Sequence, residues 1–208
     1  MGRETGPACR LCRRIGEKLF LKGERCLSPK CAVDKRGTPP GAHPSRRRRL
    51  SEYGVHLKEK QKARYIYGMM EKQFRRFFDE AKRRPEMTGK YLLQLLERRL
   101  DNVAFRLSFA ESRRQGRQVV GHGHITVNGI VTDIPSYLVR TGDVIGWREA
   151  SKKSTYFQTV AKDAPQRPVP AWLSLDSGTM TGKVVGLPEP ADTEVKVDDR
   201  LIVEFYSR

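Results

Sequence analysis

Ser112-Arg113-Arg114-Gln115-Gly116-Arg117-Gln118, followed shortly by Ile125-Thr126-Val127-Asn128-Gly129-Ile130-Val131-Thr132, is the part of the chain that decides its reading. Ser112 with Gln115 three residues later is a capping-box pattern, so a helix starts there and stops near Gly121. Arg113, Arg114 and Arg117 fall at spacings of 1, 3 and 4, which groups them on one helical face. Guanidinium forks on one face can pair bidentately with phosphate oxygens. Asn128-Gly129 between β-branched runs signals a tight hairpin, because both turn residues accept positive φ. A rigid arginine-bearing helix beside a hairpin suits structured RNA, which is read mainly by shape and backbone.

Charge points the same way. The 208 residues carry 41 Lys and Arg against 24 Asp and Glu, a net charge of +17. Such an excess repels itself in the compact state and is relieved by a polyanion. It is uneven: residues 10–49 hold 13 basic and 3 acidic residues, residues 176–208 hold 4 and 7. One face for RNA and another for protein or solvent is the expected arrangement. No apolar run approaches the roughly 18 residues that span a bilayer. Residues 1–7 have no signal-peptide core, so the expectation is a cytoplasmic protein without a membrane partner.

Upstream, residues 37–46 are Pro- and Gly-rich loop chemistry running into Arg46-Arg47-Arg48-Arg49. That run is read as a phosphate clamp against the alternative of a solvated segment. Ser51 caps a helix from about Glu52. Ala63, Ile66, Tyr67, Met70, Phe74, Phe77, Phe78 and Ala81 form one apolar stripe with a basic opposite face, ended by Pro85. Thr88 caps a further helix with its stripe at Leu92, Leu95, Leu96, Leu100, Val103, Ala104 and Leu107. Asp143–Trp147, Trp172–Asp176 and Leu201–Tyr206 read as strands, with a short helix possible in 148–171.

Cys9, Cys12, Cys26 and Cys31 are the only cysteines, spaced C-x2-C, 13 residues, C-x4-C. Two close pairs across a short loop suit one structural Zn2+, with Arg10, Arg13, Arg14 and Arg25 expected to lower the thiol pKa values. An iron–sulfur cluster is the other metal reading. Disulfides are disfavoured in a cytoplasmic chain. His122 and His124 lack nearby carboxylates and read as polar contacts, His122 beside RNA.

Leu95-Leu96-Glu97-Arg98-Arg99-Leu100-Asp101-Asn102-Val103, Ser112–Gln118 and Gly123-His124-Ile125-Thr126-Val127-Asn128-Gly129 together resemble the RNA-binding domain of the bacterial small-subunit ribosomal protein four family. Gly2-Arg3, Cys9-Arg10-Leu11-Cys12-Arg13-Arg14, Leu57–Lys62, Trp172–Asp176 and Leu201–Arg208 extend the resemblance over nearly the whole chain. The resemblance implies a primary binder of the 16S rRNA 5′ domain that nucleates small-subunit (30S) assembly. It also implies neighbours in ribosomal proteins five and three, a part in translational accuracy, and a place on the channel where mRNA enters, which Arg46–Arg49 would face. Some members repress their own operon. Some carry the four cysteines and zinc, and this chain is expected among them. Two departures stand out: Pro40-Gly41-Ala42-His43-Pro44 replaces the usual Pro-Gly-Gln-His-Gly, and Gly116 stands where Ala is usual, at about 1 kcal/mol of helix propensity.

The expected architecture is α+β. A zinc-binding basic extension spans residues 1–50. A helical lobe spans 51–94 and is completed by C-terminal strands in 174–208. An inserted RNA-binding domain, 95–173, has two Arg-rich helices and a short, twisted antiparallel sheet. The candidate RNA-binding residues are Arg3, Arg10, Arg13, Arg14, Lys22, Lys30, Arg46, Arg47, Arg48, Arg49, Tyr53, Lys58, Lys60, Lys62, Arg64, Arg113, Arg114, Arg117, Gln118 and His122. No catalytic residue and no small-molecule substrate are expected. Two rivals are weighed: a pseudouridine synthase, whose motif Arg99-Leu100-Asp101 echoes, and a zinc-dependent nucleic-acid-binding regulator. A synthase would need a separate catalytic domain for which the chain has no room.

Overall fold

The computed structural model describes residues 4–42, 49–164, 167–189, 192 and 196–207. The chain divides into two compact units, Met1–Leu93 with Thr193–Arg208, and Gln94–Asp192.

In the first unit, α1 (Ala8–Ile15) begins after Pro7 and ends at Gly16. It buries Ala8, Cys12 and Ile15, and a short α2 (Ala32–Lys35) follows. α3 (Glu52–Ile66) starts where Ser51 Oγ accepts the Gly54 amide at 3.2 Å, satisfying one of the orphan donors of the first turn. The single apolar stripe expected from Ala63 to Ala81 is cut in two. The helix stops at Tyr67, Gly68 turns the backbone at φ +61°, and α4 (Glu71–Lys82) restarts after Met70. Phe74, Phe77, Phe78 and Ala81 of α4 are buried.

The chain end corrects the sequence reading. Leu201–Tyr206 is not a strand but part of α9 (Asp199–Ser207). The run is rich in β-branched and aromatic residues, which favour strands, yet it also carries an i, i+4 pattern. Ile202 is fully buried and the Tyr206 ring lies tilted 4.6 Å from Phe78, while Phe205 meets Tyr53 at 5.6 Å. Docking is completed by polar contacts. His56 Nε2 lies 3.0 Å from Glu204, and Tyr206 donates to Glu71 Oε1 at 2.8 Å. Burial opposes the Glu71 charge, but hydrogen bonds from Lys60 and Tyr206 outweigh it and hold the carboxyl below its ordinary value.

The zinc-bearing description of this lobe is also corrected: among the described residues no group of three or more His, Cys, Asp or Glu is placed to hold a metal ion.

In the second unit, α5 (Thr88–Glu97) leads in from the first, and α6 (Leu100–Arg106) follows. The sequence stripe predicted one continuous helix here. It breaks because Arg99 is extended (φ −66°, ψ 136°) and bridges Leu138. The loop supplies carbonyls to the new helix start: Tyr137 O accepts from Leu100 N at 2.8 Å and Pro135 O from Asp101 N at 3.1 Å. α7 (Arg113–Gly121) packs across α6 so closely that a Cβ at Gly116 would lie 2.6 Å from the Asp101 carbonyl oxygen.

β1 (Ile125–Val127) and β2 (Ile130–Val131) form the expected hairpin, with Asn128 at φ 52° and Gly129 at φ 80°. β3 (Val144–Trp147) pairs with β1. After α8 (Thr155–Asp163) come β4 (Leu173–Asp176) and β5 (Thr181–Val184), the latter unforeseen. All pairings are antiparallel, in the order β2-β1-β3-β5-β4. β4 and β5 therefore extend the sheet of this unit and do not complete the helical lobe. Leu100, Leu107, Phe109, Val120, Ile125, Ile145, Trp147 and Leu173 are among the buried core.

A set of buried charges joins α5, α6 and α7. Arg106 makes a two-point pair with Glu97, Nε and one Nη each at 3.0 Å. Asn102 Nδ2 donates to Glu97 Oε2 at 2.8 Å, and Asn102 Oδ1 accepts from Arg113 Nε at 2.7 Å. Arg99, fully buried, grips Asp101 at 3.0 and 2.6 Å.

Two outcomes are expected in urea denaturation of the full chain. Glu97→Ala strands the Arg106 guanidinium and destabilises by about 3–5 kcal/mol, whereas the Glu97→Leu/Arg106→Met double variant recovers most of that loss; equal losses would mean the pair is not the cause. Gly116→Ala gains about 1 kcal/mol of helix propensity but overpacks against backbone at about 1–3 kcal/mol. A net loss is expected, and a stabilised protein would show that α6 yields freely.

Candidate nucleic-acid interface

α7 sorts its side chains in a way that spacing did not show. Ser112 Oγ accepts the Gln115 amide at 3.4 Å, and Gln115 Oε1 accepts the Glu111 amide at 2.9 Å, fixing the first turn. Arg113 and Arg117, four residues apart, turn towards α6. Arg113 is buried, bonded to Asn102 and lying 4.6 Å over the Phe105 ring. Arg117 reaches within 3.7 Å of Asp101 and is 12% exposed. Arg114 is half-buried, while Gln118 and His122 are exposed. These three also repeat every four residues, so they form the outward line of α7. His124 is occupied elsewhere, with Nδ1 2.9 Å from Ser151 Oγ.

The first unit makes a similar division. Lys60 is buried and bonded to both Glu71 oxygens at 2.7 Å. Lys62 is buried between Glu17 (2.8 Å) and Glu59 (3.4 Å). Arg64 lies 3.8 Å from Glu71 and 4.9 Å over the Tyr65 ring. These cations hold α3 to its surroundings. Lys58 is half-buried, and Tyr53 is exposed apart from its ring contact with Phe205. Arg10, Arg14, Lys22, Lys30 and Arg49 are exposed. Arg13 donates to Thr38 O at 2.9 Å and Pro39 O at 3.4 Å, tying α1 to the loop before α3. Arg3 and Arg46, Arg47 and Arg48 lie outside the described residues.

The candidate set missed other exposed cations. Lys72, Arg75, Arg76, Lys82, Arg83 and Arg84 are exposed on α4 and just after it. The apolar stripe of α4 implied them, since most residues off such a stripe face outward. Arg25, Lys35 and Arg36 were also missed. With Arg13, Lys30 and Ala32 they line a cleft of about 460 Å3. They fall on or beside separate short helices between residues 13 and 36, and no single helical or strand spacing joins them.

The cysteines do not form the expected zinc site. Cys12, Cys26 and Cys31 are buried and Cys9 is half-buried; none is in a disulfide. All four line a largely apolar cavity of about 10 Å3, together with Lys22, Arg25, Ala32 and Val33. The surrounding arginines were expected to favour thiolate. Instead, burial pushes the Cys12 thiol up, with the neighbouring sulfurs adding to the effect. A protonated thiol in an apolar pocket packs as a small hydrophobe. The metal reading falls on the absence of a metal-holding group among the described residues.

Asp101 settles the synthase rival. Its Oδ1 accepts from Arg99 Nε and the Asn102 amide, each at 3.0 Å, and its Oδ2 from Arg99 at 2.6 Å. At 3% exposure this carboxylate is a structural anchor with no room for substrate.

Comparison with known proteins agrees with this architecture. Residues 3–97 match the family described as Ribosomal protein S4/S9 N-terminal domain, and residues 98–145 match the S4 domain. The chain is 54% identical over 208 residues to the small ribosomal subunit protein uS4 of Acetivibrio thermocellus, covering all of both chains. It is 53% identical over 208 residues to that of Dehalococcoides mccartyi and 54% identical to uS4A of Symbiobacterium thermophilum, again end to end. Such identity over full length leaves one assignment: the chain belongs to the uS4 family of small ribosomal subunit proteins.

Proposed function

We propose that this chain is a structural, non-catalytic constituent of the small ribosomal subunit, resident in the cytoplasm, that binds 16S rRNA mainly through phosphates. The observation that carries this reading is end-to-end relatedness to proteins named for that subunit, in a chain with a net charge of +17. The distribution of cations supports it. Arg10, Arg14, Lys22, Lys30 and Arg49 are exposed, as are Gln118 and His122 on the outward line of α7. Exposed cations in a chain with so large a basic excess favour a polyanionic partner.

The finer assignment is that the protein binds the 5′ domain of 16S rRNA early and nucleates assembly. It lies beside ribosomal proteins five and three, where it contributes to accuracy and to the channel through which mRNA enters. Arg46–Arg49 are the residues proposed to face that channel. Among the candidate contacts, Arg114, Gln118 and His122 touch RNA directly. Arg113 and Arg117 act by holding α7 in place, as Lys60, Lys62 and Arg64 hold α3.

Two experiments test this. Purified protein on naked 16S rRNA is expected to leave a footprint concentrated in the 5′ domain, with log K falling linearly in log salt by about 0.7–0.9 per neutralised phosphate. A flat salt response, or a footprint elsewhere, contradicts the reading. Arg114→Gln is expected to flatten that slope by about 1 while lowering the urea midpoint less than Arg113→Gln does. Arg113→Gln instead lowers stability by about 2 kcal/mol, through the lost charged hydrogen bond. The reverse pattern would exchange their roles.

A further inference from the structure

The chain has two asparagines, in opposite chemical situations. Asn102 is buried in α6, its carboxamide bonded to Glu97 and Arg113, and the β-branched Val103 follows it. Asn128 is exposed at the turn between β1 and β2 and is followed by Gly129, also exposed. Glycine leaves its backbone nitrogen unshielded and gives the turn wide conformational freedom. That nitrogen is the nucleophile in asparagine deamidation. Asn128 is nevertheless held. Its Nδ2 donates to Asp143 Oδ1 and its Oδ1 accepts the Val144 amide, each at 2.9 Å, while its own amide donates to Val144 O at 2.7 Å. The carboxamide thus clips the turn to the start of β3 with both of its polar atoms.

We infer that Asn128 is a site of spontaneous deamidation that the closed hairpin restrains and whose product holds the hairpin open. In this reaction the Gly129 nitrogen attacks Asn128 Cγ. The N–Cγ bond forms, the Cγ–Nδ2 bond breaks, and Nδ2 leaves as ammonia with the Gly129 amide proton. Water then adds to either carbonyl of the five-membered imide, giving aspartate or isoaspartate. No oxidant or reductant is needed. The carboxamide must leave Asp143 and Val144 before Cγ turns towards Gly129, so the rate follows local opening. The product does not fit back. An aspartate has no donor for Asp143 and sets one carboxylate against another, where like charges repel. Asp143 is buried and fixed: its Oδ2 accepts the Arg140 amide at 2.8 Å and its carbonyl accepts the Val184 amide at 2.9 Å. Isoaspartate adds a carbon to the main chain inside the hairpin, against the pairing of Val127 with Ile130. The modification therefore marks chains whose hairpin has opened.

The full chain is incubated at neutral pH, folded and in urea, and deamidation at each asparagine is followed by peptide mass spectrometry. Asn128 is expected to react roughly tenfold or more faster in urea than in the folded protein, with Asn102 far behind in both. Equal rates at Asn128 in the two states, or no reaction there in urea, overturn the proposal. The restraint is read in the wild type through the Val144 amide, which donates to Asn128 Oδ1. Its hydrogen exchange is expected to rise through sub-denaturing urea in step with the deamidation rate. Exchange that rises while the rate stays fixed overturns the restraint. The product is tested by substitution. Asn128→Asp is expected to lower the melting temperature by roughly 2–4 °C or more. The Asn128→Asp/Asp143→Asn double variant is expected to recover it, because the exchanged pair again has one amide donor and one carboxylate. A single variant as stable as the wild type, or a double variant no better than the single, overturns the claim that the product holds the hairpin open.

Discussion

Charge buried between helices is the constraint on which the second unit depends. Glu97, Arg99, Asp101, Asn102, Arg106 and Arg113 are all nearly inaccessible, and they satisfy one another across α5, α6 and α7. Such groups are costly to desolvate, and the cost is offset only where their charges are paired within the network. That requirement explains local details. The helix must break at Arg99 so that its guanidinium can turn back onto Asp101. α7 must approach α6 closely enough for Arg113 to reach Asn102, and Gly116 permits that approach. The outward presentation of Gln118 and His122 follows from the inward commitment of Arg113 and Arg117.

A strongly basic protein thus uses its cations in two distinct ways. One group is spent on the fold, paired with carboxylates or laid over rings: Lys60 on Glu71 and near Phe205, Lys62 between Glu17 and Glu59, Arg106 on Glu97. The other stands on the surface. Only the second contributes to an electrostatic footprint that salt can screen. Counting basic residues overstates the number of possible phosphate contacts, because burial and pairing remove some of them.

The first unit is held by different means. Its C-terminal helix closes over α3 and α4 through stacked aromatic rings, a His56–Glu204 contact and the Tyr206–Glu71 hydrogen bond. Burial, followed by the Glu71 hydrogen bond and charge, pushes the Tyr206 phenol far above its ordinary value, so it remains a donor at any physiological pH. Where the cysteine segment was expected to be pinned by metal, buried apolar side chains such as Ile15, Leu19 and Leu21 accompany the buried thiols.

Local chemistry alone determined a good deal. The Ser51 and Ser112 caps, the Asn128-Gly129 turn and the apolar period of α4 were readable because each depends on residues within a few positions of one another. The outward basic face of α4 was readable for the same reason. Tertiary structure decided the rest. A stripe of leucines cannot reveal the break at Arg99, since that break is made by a loop some forty residues away. The run Leu201–Tyr206 satisfies both a strand and a helix pattern, and only packing against α3 selects the helix. Nor can spacing tell which arginine of α7 faces Asn102, or that Arg13, Arg25 and Arg36 meet around one cleft. The reason is common to all of these: burial and charge pairing depend on what lies across from a residue in space, and in this chain those partners are distant in sequence.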